Sequence, residues 1–222
     1  MTHLILFDCD GTLTDSNMVI VRAMQRAFED HNLSIPRRDD VLALLGMSLN
    51  AVVEGLMPRK NHKLQSDLAL LVSDIGQAYR QHYRVLEKDV CLYPGVLEVL
   101  QRLKERGYWM AIVTGKSHAG LLRVIERFEL KQYFFAWRTA DCCHSKPHPA
   151  MALECMAVLG AEALKTTLVG DSHFDIQMAK AAGVRALGVS FGSESAQILY
   201  DEGADKVLGK FVDLLDCFPQ LS

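Results

Sequence analysis

The stretch Leu4-Ile5-Leu6-Phe7-Asp8-Cys9-Asp10-Gly11-Thr12 decides the fold. Its apolar run, broken by Asp-Cys-Asp-Gly, predicts a short buried strand that ends in a polar turn. Asp8 and Asp10 stand two positions apart directly after that strand, so their side chains point in different directions and can take separate roles. Gly11 permits the tight turn. A simple solvated turn is the structural alternative for the two carboxylates.

Residues 16–84 have helical periodicity. Val21, Met24 and Phe28 recur at the spacing of one helix face, and the same pattern continues downstream. The predicted helices are Asn17–His31, Asp40–Leu45, Ala51–Met57 and Lys63–Tyr83.

Beyond Leu92-Tyr93-Pro94-Gly95, predicted strands and helices alternate. The predicted helices are Val96–Arg106, Ala119–Phe128, Ala150–Leu159, Asp175–Ala182 and Ser195–Glu202. The predicted strands are Met110–Thr114, Phe134–Thr139, Thr167–Asp171 and Ala186–Val189, with a last strand and helix around Val207–Cys217. This alternation predicts an α/β fold whose parallel sheet is covered by helices on both faces. We expect a core of residues 1–15 and 85–222, into which an all-helical domain of residues 16–84 is inserted as a lid.

Composition excludes several classes of protein. The chain has 222 residues, 24 Lys+Arg and 27 Asp+Glu, so its formal charge is −3. A surface for nucleic acid or anionic membranes needs a positive excess, which is missing here. Hydrophobic residues make up 50% and charged residues 23%, the balance of an ordinary folded protein. The sequence has no signal-peptide pattern and no stretch of about 20 apolar residues, so we expect a cytoplasmic protein.

The six cysteines have no CxxC spacing, which favours reduced thiols. Cys142, Cys143, His144 and His148 lie close in sequence, and a soft-metal site there is conceivable. Adjacent core or loop residues are the favoured alternative, because the spacing matches no zinc pattern. We expect Cys9 to point into the core, away from Asp8 and Asp10.

Three further segments carry candidate functional residues. Thr114 and Gly115 end an apolar strand before a helix, where a hydroxyl and exposed backbone N–H groups suit a phosphate. Lys146 stands beside Pro147 in a stiff segment and could be held toward a buried anion. Their alternatives are a helix cap at Thr114 and a surface lysine in a rigid loop.

The third segment follows another apolar strand and supplies Asp171 and Asp175. Because functional groups gather beyond the carboxyl ends of parallel strands, Asp8, Asp10, Thr114 and Asp171 should meet at one edge of the sheet. Carboxylate oxygens gathered there suit Mg²⁺. Asp175 could instead be a helix N-terminal acid or a supporting residue.

Together the segments DCDGTLTDS (8–16), VTGK (113–116), SKP (145–147) and GDSHFD (170–175) resemble the motifs of the haloacid dehalogenase-like hydrolase superfamily. Residues 16–84 resemble its small helical cap, and the likeness spans essentially the whole chain. Within the superfamily the chain looks most like the phosphoglycolate phosphatase group. The resemblance implies a Rossmann-like core and a two-step phosphoryl transfer.

The resemblance also implies a role for each candidate residue. Asp8 would attack phosphorus, and Asp10 would protonate the departing oxygen and then activate water. Thr114, Gly115 and Lys146 would bind the phosphoryl group. Asp8, the backbone carbonyl of Asp10, and Asp171 would bind Mg²⁺, with Asp175 in support. An aspartate at position 10 favours an oxygen leaving group, since a halide needs no proton.

The expected substrate is a small phosphorylated metabolite, with phosphoglycolate-like esters first. The loop Gly46-Met47-Ser48-Leu49 is a candidate lining segment, with a plain helix-to-helix turn as its alternative. Arg59-Lys60-Asn61-His62-Lys63 could attract a second anionic group, although a solvated charged turn is favoured. His173 could contact substrate or pack at a helix entry. The alternatives to a phosphatase are a phosphomutase, a pyrophosphatase, or a non-catalytic phosphate sensor. The oligomeric state is left open.

Overall fold

The computed structural model describes residues 2–57 and 65–221. The described residues form a six-stranded parallel sheet, a separate two-stranded ribbon and nine helices. The strands are β1 (Thr2–Phe7), β2 (Thr14–Asp15), β3 (Cys91–Leu92), β4 (Trp109–Thr114), β5 (Ala136–Thr139), β6 (Ala161–Gly170), β7 (Arg185–Val189) and β8 (Lys206–Leu208). The helices are α1 (Asn17–Asp30), α2 (Arg38–Leu42), α3 (Leu49–Leu56), α4 (Gln65–Leu86), α5 (Val96–Glu105), α6 (His118–Arg127), α7 (Ala150–Leu159), α8 (His173–Ala181) and α9 (Ala196–Asp201).

The main sheet has the order β5-β4-β1-β6-β7-β8, and its neighbouring strands are parallel. β1 lies in the middle, between β4 and β6. Leu4–Phe7 are buried on both faces of the sheet, which is why this part of the strand is continuously apolar rather than alternating. One face packs around Ile5 and Phe7, and the other around Leu4 and Leu6. The α/β class and the parallel sheet are as predicted.

The register of β1 brings three strand ends together. Phe7 pairs with Ile112 of β4 on one side and with Val169 of β6 on the other. Each of these strands ends within two residues of that row. The residues that follow β1 and β6 and the last residue of β4 therefore share one edge of the sheet.

Helices α1 to α4 share a hydrophobic cluster of their own. It is built around Phe28, Val41, Val53 and Ile75, with one residue from each of the four helices. The helical expectation for residues 16–84 is met where the chain is described. The exact division into a core and an inserted domain stays a prediction.

Several details differ from the sequence prediction, among them α2, which spans Arg38–Leu42 rather than Asp40–Leu45. α4 continues to Leu86, and β6 begins at Ala161 because Thr2 pairs with that residue before the register shifts. The last predicted helix is a 3-10 helix at Phe211–Asp216. The ribbon of β2 and β3 was not predicted, since two-residue strands carry no periodicity.

Candidate active site

Asp8, Thr114 and Asp171 lie at the common edge of the three central strands. Asp8 follows β1, Thr114 is the last residue of β4, and Asp171 follows β6. All three are buried, at 3%, 1% and 2% exposure. The backbone N–H of Asp8 donates to the carbonyl of Val169 at 2.9 Å, which holds the nucleophile candidate at the end of the sheet. The ends of these three strands therefore lie together, as predicted.

Lys146 is fully buried between two carboxylates. Its Nζ lies 2.6 Å from Oδ1 of Asp8 and 2.6 Å from Oδ1 of Asp175. Burial by itself lowers the pKa of Lys146, but the charges of Asp175 and Asp8 outweigh it and raise the pKa above the usual value. Lys146 is thus a charged ammonium aimed at a buried anion, rather than a surface lysine.

Asp175 is anchored by its own helix as well as by Lys146. Its Oδ2 accepts hydrogen bonds from the backbone N–H of Ser172 at 3.2 Å and from the Ser172 hydroxyl at 2.7 Å. This is a capping arrangement at the start of α8. Gly170 makes room for it, since a Cβ there would lie 2.2 Å from the Asp175 carboxyl carbon. Both oxygens of Asp175 therefore have protein partners, which favours a supporting role.

Asp171 is held by donors that the sequence did not single out. The Thr12 hydroxyl donates to its Oδ1 at 2.9 Å, and the Ser193 backbone N–H donates to its Oδ2 at 2.8 Å. Gly11, at φ +84°, and Gly192 leave the space, because a Cβ at either position would come within 2.5 Å of the Asp171 side chain. Burial, and next the charge of Asp175, raise the pKa of Asp171 to about 7.

The three carboxylates form a site that fits a cation. Asp8, Asp171 and Asp175 each offer an oxygen, and these oxygens lie within 4.8 Å of one another. Burial is also the main cause that raises the pKa of Asp8 well above its usual range. Lys146 supplies one positive charge for three buried acids, so a divalent ion would compensate the remainder. Hard carboxylate oxygens are the donors that Mg²⁺ takes.

Asp10 faces a different environment from Asp8. Its Oδ2 lies 2.8 Å from Nζ of Lys116, and its Oδ1 accepts a hydrogen bond from the Ser16 hydroxyl at 2.6 Å. Lys116 also donates to the hydroxyl of Tyr83 at 3.3 Å. Tyr83 lies on α4, so this contact joins the sheet edge to the helical region. Lys116 and Tyr83 were not among the predicted site residues.

A cavity of about 540 Å³ opens in front of the sheet edge. Asp8, Asp10, Thr114 and Gly115 line its floor. Among the described residues, its lining does not include Lys146, Asp171 or Asp175, all three of which are buried. The predicted site residues thus form two layers, one open to the cavity and one supporting it.

The loop of residues 46–49 contributes to the lining of this cavity. Gly46, Met47, Ser48 and Leu49 all line it, as the lining hypothesis predicted. Gly115 accommodates the loop, because a Cβ there would lie 2.4 Å from the carbonyl oxygen of Met47 and 2.6 Å from that of Gly46. Gly115 therefore has a packing reason to be glycine, beside the predicted contact with phosphate.

The remaining candidates that the structure describes are not among the residues lining the cavity. Cys9 is buried in the core, as expected. The Cys142 thiol donates a hydrogen bond to the carbonyl oxygen of Thr139 at 3.2 Å. In residues 2–57 and 65–221, the cysteines and histidines near it do not form a group of metal ligands. His173 Nδ1 lies 2.5 Å from Oε1 of Glu194, and the His173 backbone N–H donates to Oε2 of Glu194 at 2.6 Å, at the start of α8. The basic stretch of residues 59–63 lies outside the described residues.

In the described part of the chain, no helix combines the length and the apolar character that crossing a bilayer requires.

Known proteins similar to this chain include two curated bacterial enzymes. "Probable phosphatase IndB" of Dickeya dadantii is 36% identical over 201 residues, which cover 86% of this chain and 83% of that protein. "Pyrophosphatase PpaX" of Anoxybacillus flavithermus is 31% identical over 218 residues, which cover 96% and 95%.

Solved structures share the fold. A predicted phosphoglycolate phosphatase from Haemophilus somnus superposes with a TM-score of 0.85 at 24% identity, covering 98% of each chain. CbbY from Rhodobacter sphaeroides, in complex with phosphate, gives 0.82 at 21% identity, covering 98% of this chain and 99% of its own. The family model of haloacid dehalogenase-like hydrolases matches residues 5–189. The chain therefore belongs to the haloacid dehalogenase-like hydrolase family.

Proposed function

We propose that the protein is a Mg²⁺-dependent phosphatase that hydrolyses small phosphomonoesters through an aspartyl phosphate on Asp8. The observation that carries the proposal is the placement of Asp8. It lines the cavity while its Oδ1 lies 2.6 Å from the buried ammonium of Lys146. A carboxylate held at the floor of a cavity beside a cation is suited to attack phosphorus.

Repulsion is the first obstacle to this reaction. At about 4 Å, each pair of unit charges on a carboxylate and a phosphate costs about 4 kcal/mol at an effective dielectric constant of about 20. Lys146 offsets part of this cost at Asp8 itself. Asp8, Asp171 and the backbone carbonyl of Asp10 would hold Mg²⁺, which would supply further positive charge to offset the repulsion.

The chain's own residues then account for two chemical steps. An oxygen of Asp8 forms a bond to phosphorus, the bond to the ester oxygen breaks, and Asp10 donates a proton to that departing oxygen. Asp10 next removes a proton from a water molecule, whose oxygen attacks the phosphorus and releases inorganic phosphate and Asp8. Thr114 and Gly115, at the cavity floor, would donate hydrogen bonds to the phosphoryl oxygens, and Lys146 would neutralise their charge.

The proposed substrate is a small phosphorylated metabolite, with phosphoglycolate-like esters as the leading candidates. The 540 Å³ cavity under the loop of residues 46–49 favours a small molecule over a polymer. The second candidate function is pyrophosphate hydrolysis, favoured by the similarity to PpaX. We place the protein in the cytoplasm, acting without nucleic acid or membrane.

A phosphate-release screen over small phosphoesters and pyrophosphate tests the proposal. We expect turnover with Mg²⁺, little after chelation, and none with Asp8→Asn. The matched control is Asp15→Asn, since Asp15 is an exposed aspartate in the same segment that is absent from the described lining of the cavity. Turnover that persists without metal, or in Asp8→Asn, would overturn the mechanism. Isomerisation of a sugar phosphate without phosphate release would favour a mutase.

A further inference from the structure

The cavity carries more positive charge than the proposed phosphoryl transfer requires. Lys116 lies beside Asp10 at the sheet edge, and Arg80 and Arg84 line the same cavity from α4. None of these three cations has a part in the transfer step proposed above. Lys116 is already paired with Asp10, so Arg80 and Arg84 supply the positive charge at this cavity that a further anion would compensate.

Lys116 has the most defined geometry of the three. Its side chain is only 8% exposed, and it contacts Asp10 at 2.8 Å and the Tyr83 hydroxyl at 3.3 Å. An ammonium has three N–H donors, so these two contacts leave one for the cavity that Lys116 lines. Its stem fits because position 120 is glycine, where a Cβ would lie 2.9 Å from Cγ of Lys116.

Tyr83 has a hydroxyl proton that it can donate to an anion. Its hydroxyl oxygen accepts the hydrogen bond from Lys116, so its own O–H proton is directed elsewhere. Tyr83 also lines the cavity and is buried. A neutral O–H donor next to an ammonium is a suitable pair for a carboxylate or phosphate oxygen.

Arg80 and Arg84 add charge that is not compensated in the described structure. They lie four residues apart, on the same face of α4, and both are exposed toward the cavity. Among the described residues neither has an ion-pair partner. Arg123 also lines the cavity, but its Nε forms an ion pair with Oε2 of Glu87 at 3.0 Å.

We propose that Lys116, Tyr83, Arg80 and Arg84 form a second anion-binding site, which takes a carboxylate or a further phosphate on the leaving group of the substrate. This inference rests on the proposed function, because it locates the site next to Asp10, the proton donor to the leaving oxygen. The second anionic group therefore lies within a few bonds of the ester oxygen. Substrates with a neutral leaving group fill the phosphoryl site but not this one.

A pair of matched esters tests the site. 2-Phosphoglycolate carries a carboxylate, and its amide, 2-phosphoglycolamide, has the same size without the charge. We expect kcat/KM for the acid to exceed that for the amide by about tenfold or more, since a charge-assisted contact contributes at least that factor. Pyrophosphate, tested beside them, shows whether a phosphate serves as well as a carboxylate.

Variants of Lys116 and Arg84 show whether these residues cause the preference for the acid over the amide. Lys116→Gln should reduce the ratio of acid to amide by about tenfold, and Arg84→Gln by roughly threefold to tenfold, because the latter is more exposed to solvent. Arg22→Gln is the control, an exposed arginine on α1 that is not among the described lining residues. It should leave the ratio unchanged. The ratio is the readout, since Lys116→Gln also disturbs Asp10 and slows both esters.

The outcomes separate this inference from the proposed function. Equal kcat/KM for acid and amide in the wild type, or a ratio that neither variant changes, overturns the second site while phosphatase activity stands. If no ester is turned over, the proposed function fails, and calorimetric binding of the two esters to Asp8→Asn decides the site by itself. If the acid binds more tightly than the amide to Asp8→Asn, and if the double variant Asp8→Asn/Lys116→Gln loses this difference, the second site is supported. Equal binding of acid and amide would overturn the second site.

Discussion

The Nζ of Lys146 lies 2.6 Å from Oδ1 of Asp8, and both side chains are almost fully buried. Lys146→Met should lower the free energy of unfolding by about 3–5 kcal/mol, because it leaves buried carboxylates without their cation. Urea unfolding of chelator-treated protein measures this. Lys180→Met is the control, since the exposed pair of Lys180 with Asp205, at 3.6 Å, should contribute less than about 1 kcal/mol. Equal effects in both variants would contradict the role of burial.

The raised pKa of Asp171 predicts how stability depends on pH. Folded Asp171 titrates near pH 7 and unfolded Asp near pH 4. Between these values the folded state binds more protons, so stability falls as pH rises, by at most about 1.4 kcal/mol per pH unit. Below pH 4 both states are protonated, and above pH 7 both are ionised, so the dependence on this group ends.

Mg²⁺ should therefore stabilise the protein more at pH 8 than at pH 5. A cation favours the ionised carboxylates that are costly to bury without it. Thermal unfolding at the two pH values, with Mg²⁺ and with chelator, measures the difference. In Asp171→Asn the pH dependence of the chelator-treated protein should flatten. A Mg²⁺ effect that is the same at both pH values would argue against a site built on Asp171.

Gly115→Ala should impair the cavity more than the fold. The added Cβ would meet the carbonyl oxygen of Met47 at 2.4 Å, so the loop of residues 46–49 must move. Because small misplacements at a site are costly, kcat/KM for phosphate release should fall roughly tenfold to a hundredfold. Gly209→Ala is the control, since a Cβ there meets nothing within 4 Å. Unchanged kinetics in Gly115→Ala would show that the loop does not need this position.

Much of this site could be predicted because strand ends are easy to locate. The apolar segments that lead to Asp8, Thr114 and Asp171 predicted parallel strands, and parallel strands end at one edge. That rule placed Asp8, Thr114 and Asp171 together without any knowledge of packing. A helix N-terminal acid at Asp175 was likewise among the alternatives, since an acid in the first turn of a helix is a local signal, whereas its hydrogen bonds with Ser172 were not predicted.

Other contacts depend on packing that no local pattern encodes. Tyr83 meets Lys116 only because α4 packs over the sheet edge, and nothing in either segment indicates the other. Ser193 reaches Asp171 from a loop 22 residues away. Thr12 was quoted within the first motif, but its bond to Asp171 spans 159 positions and requires β1 and β6 to be neighbours.

Asp10→Asn should slow esters according to their leaving groups. An asparagine cannot donate an acidic proton, so alkyl phosphates, whose leaving oxygens need one, should lose about a hundredfold or more. Aryl phosphates with acidic phenols should lose much less in the first step. Single-turnover kinetics with p-nitrophenyl phosphate and an alkyl phosphate compare them. Equal slowing of both would contradict the assignment of Asp10 as the proton donor.

The ribbon of β2 and β3 has a mechanical consequence. Thr14 pairs with Leu92 and Asp15 with Cys91, so the two passages of the chain between sheet and helices run side by side, hydrogen-bonded to each other. Two connecting segments that are hydrogen-bonded to each other can act as a hinge, about which the helical region rotates relative to the sheet. Their pairing resists translation and twisting of one part relative to the other. If the helical region opened about this ribbon, Tyr83 on α4 would leave Lys116 and would return to the same lysine on closing.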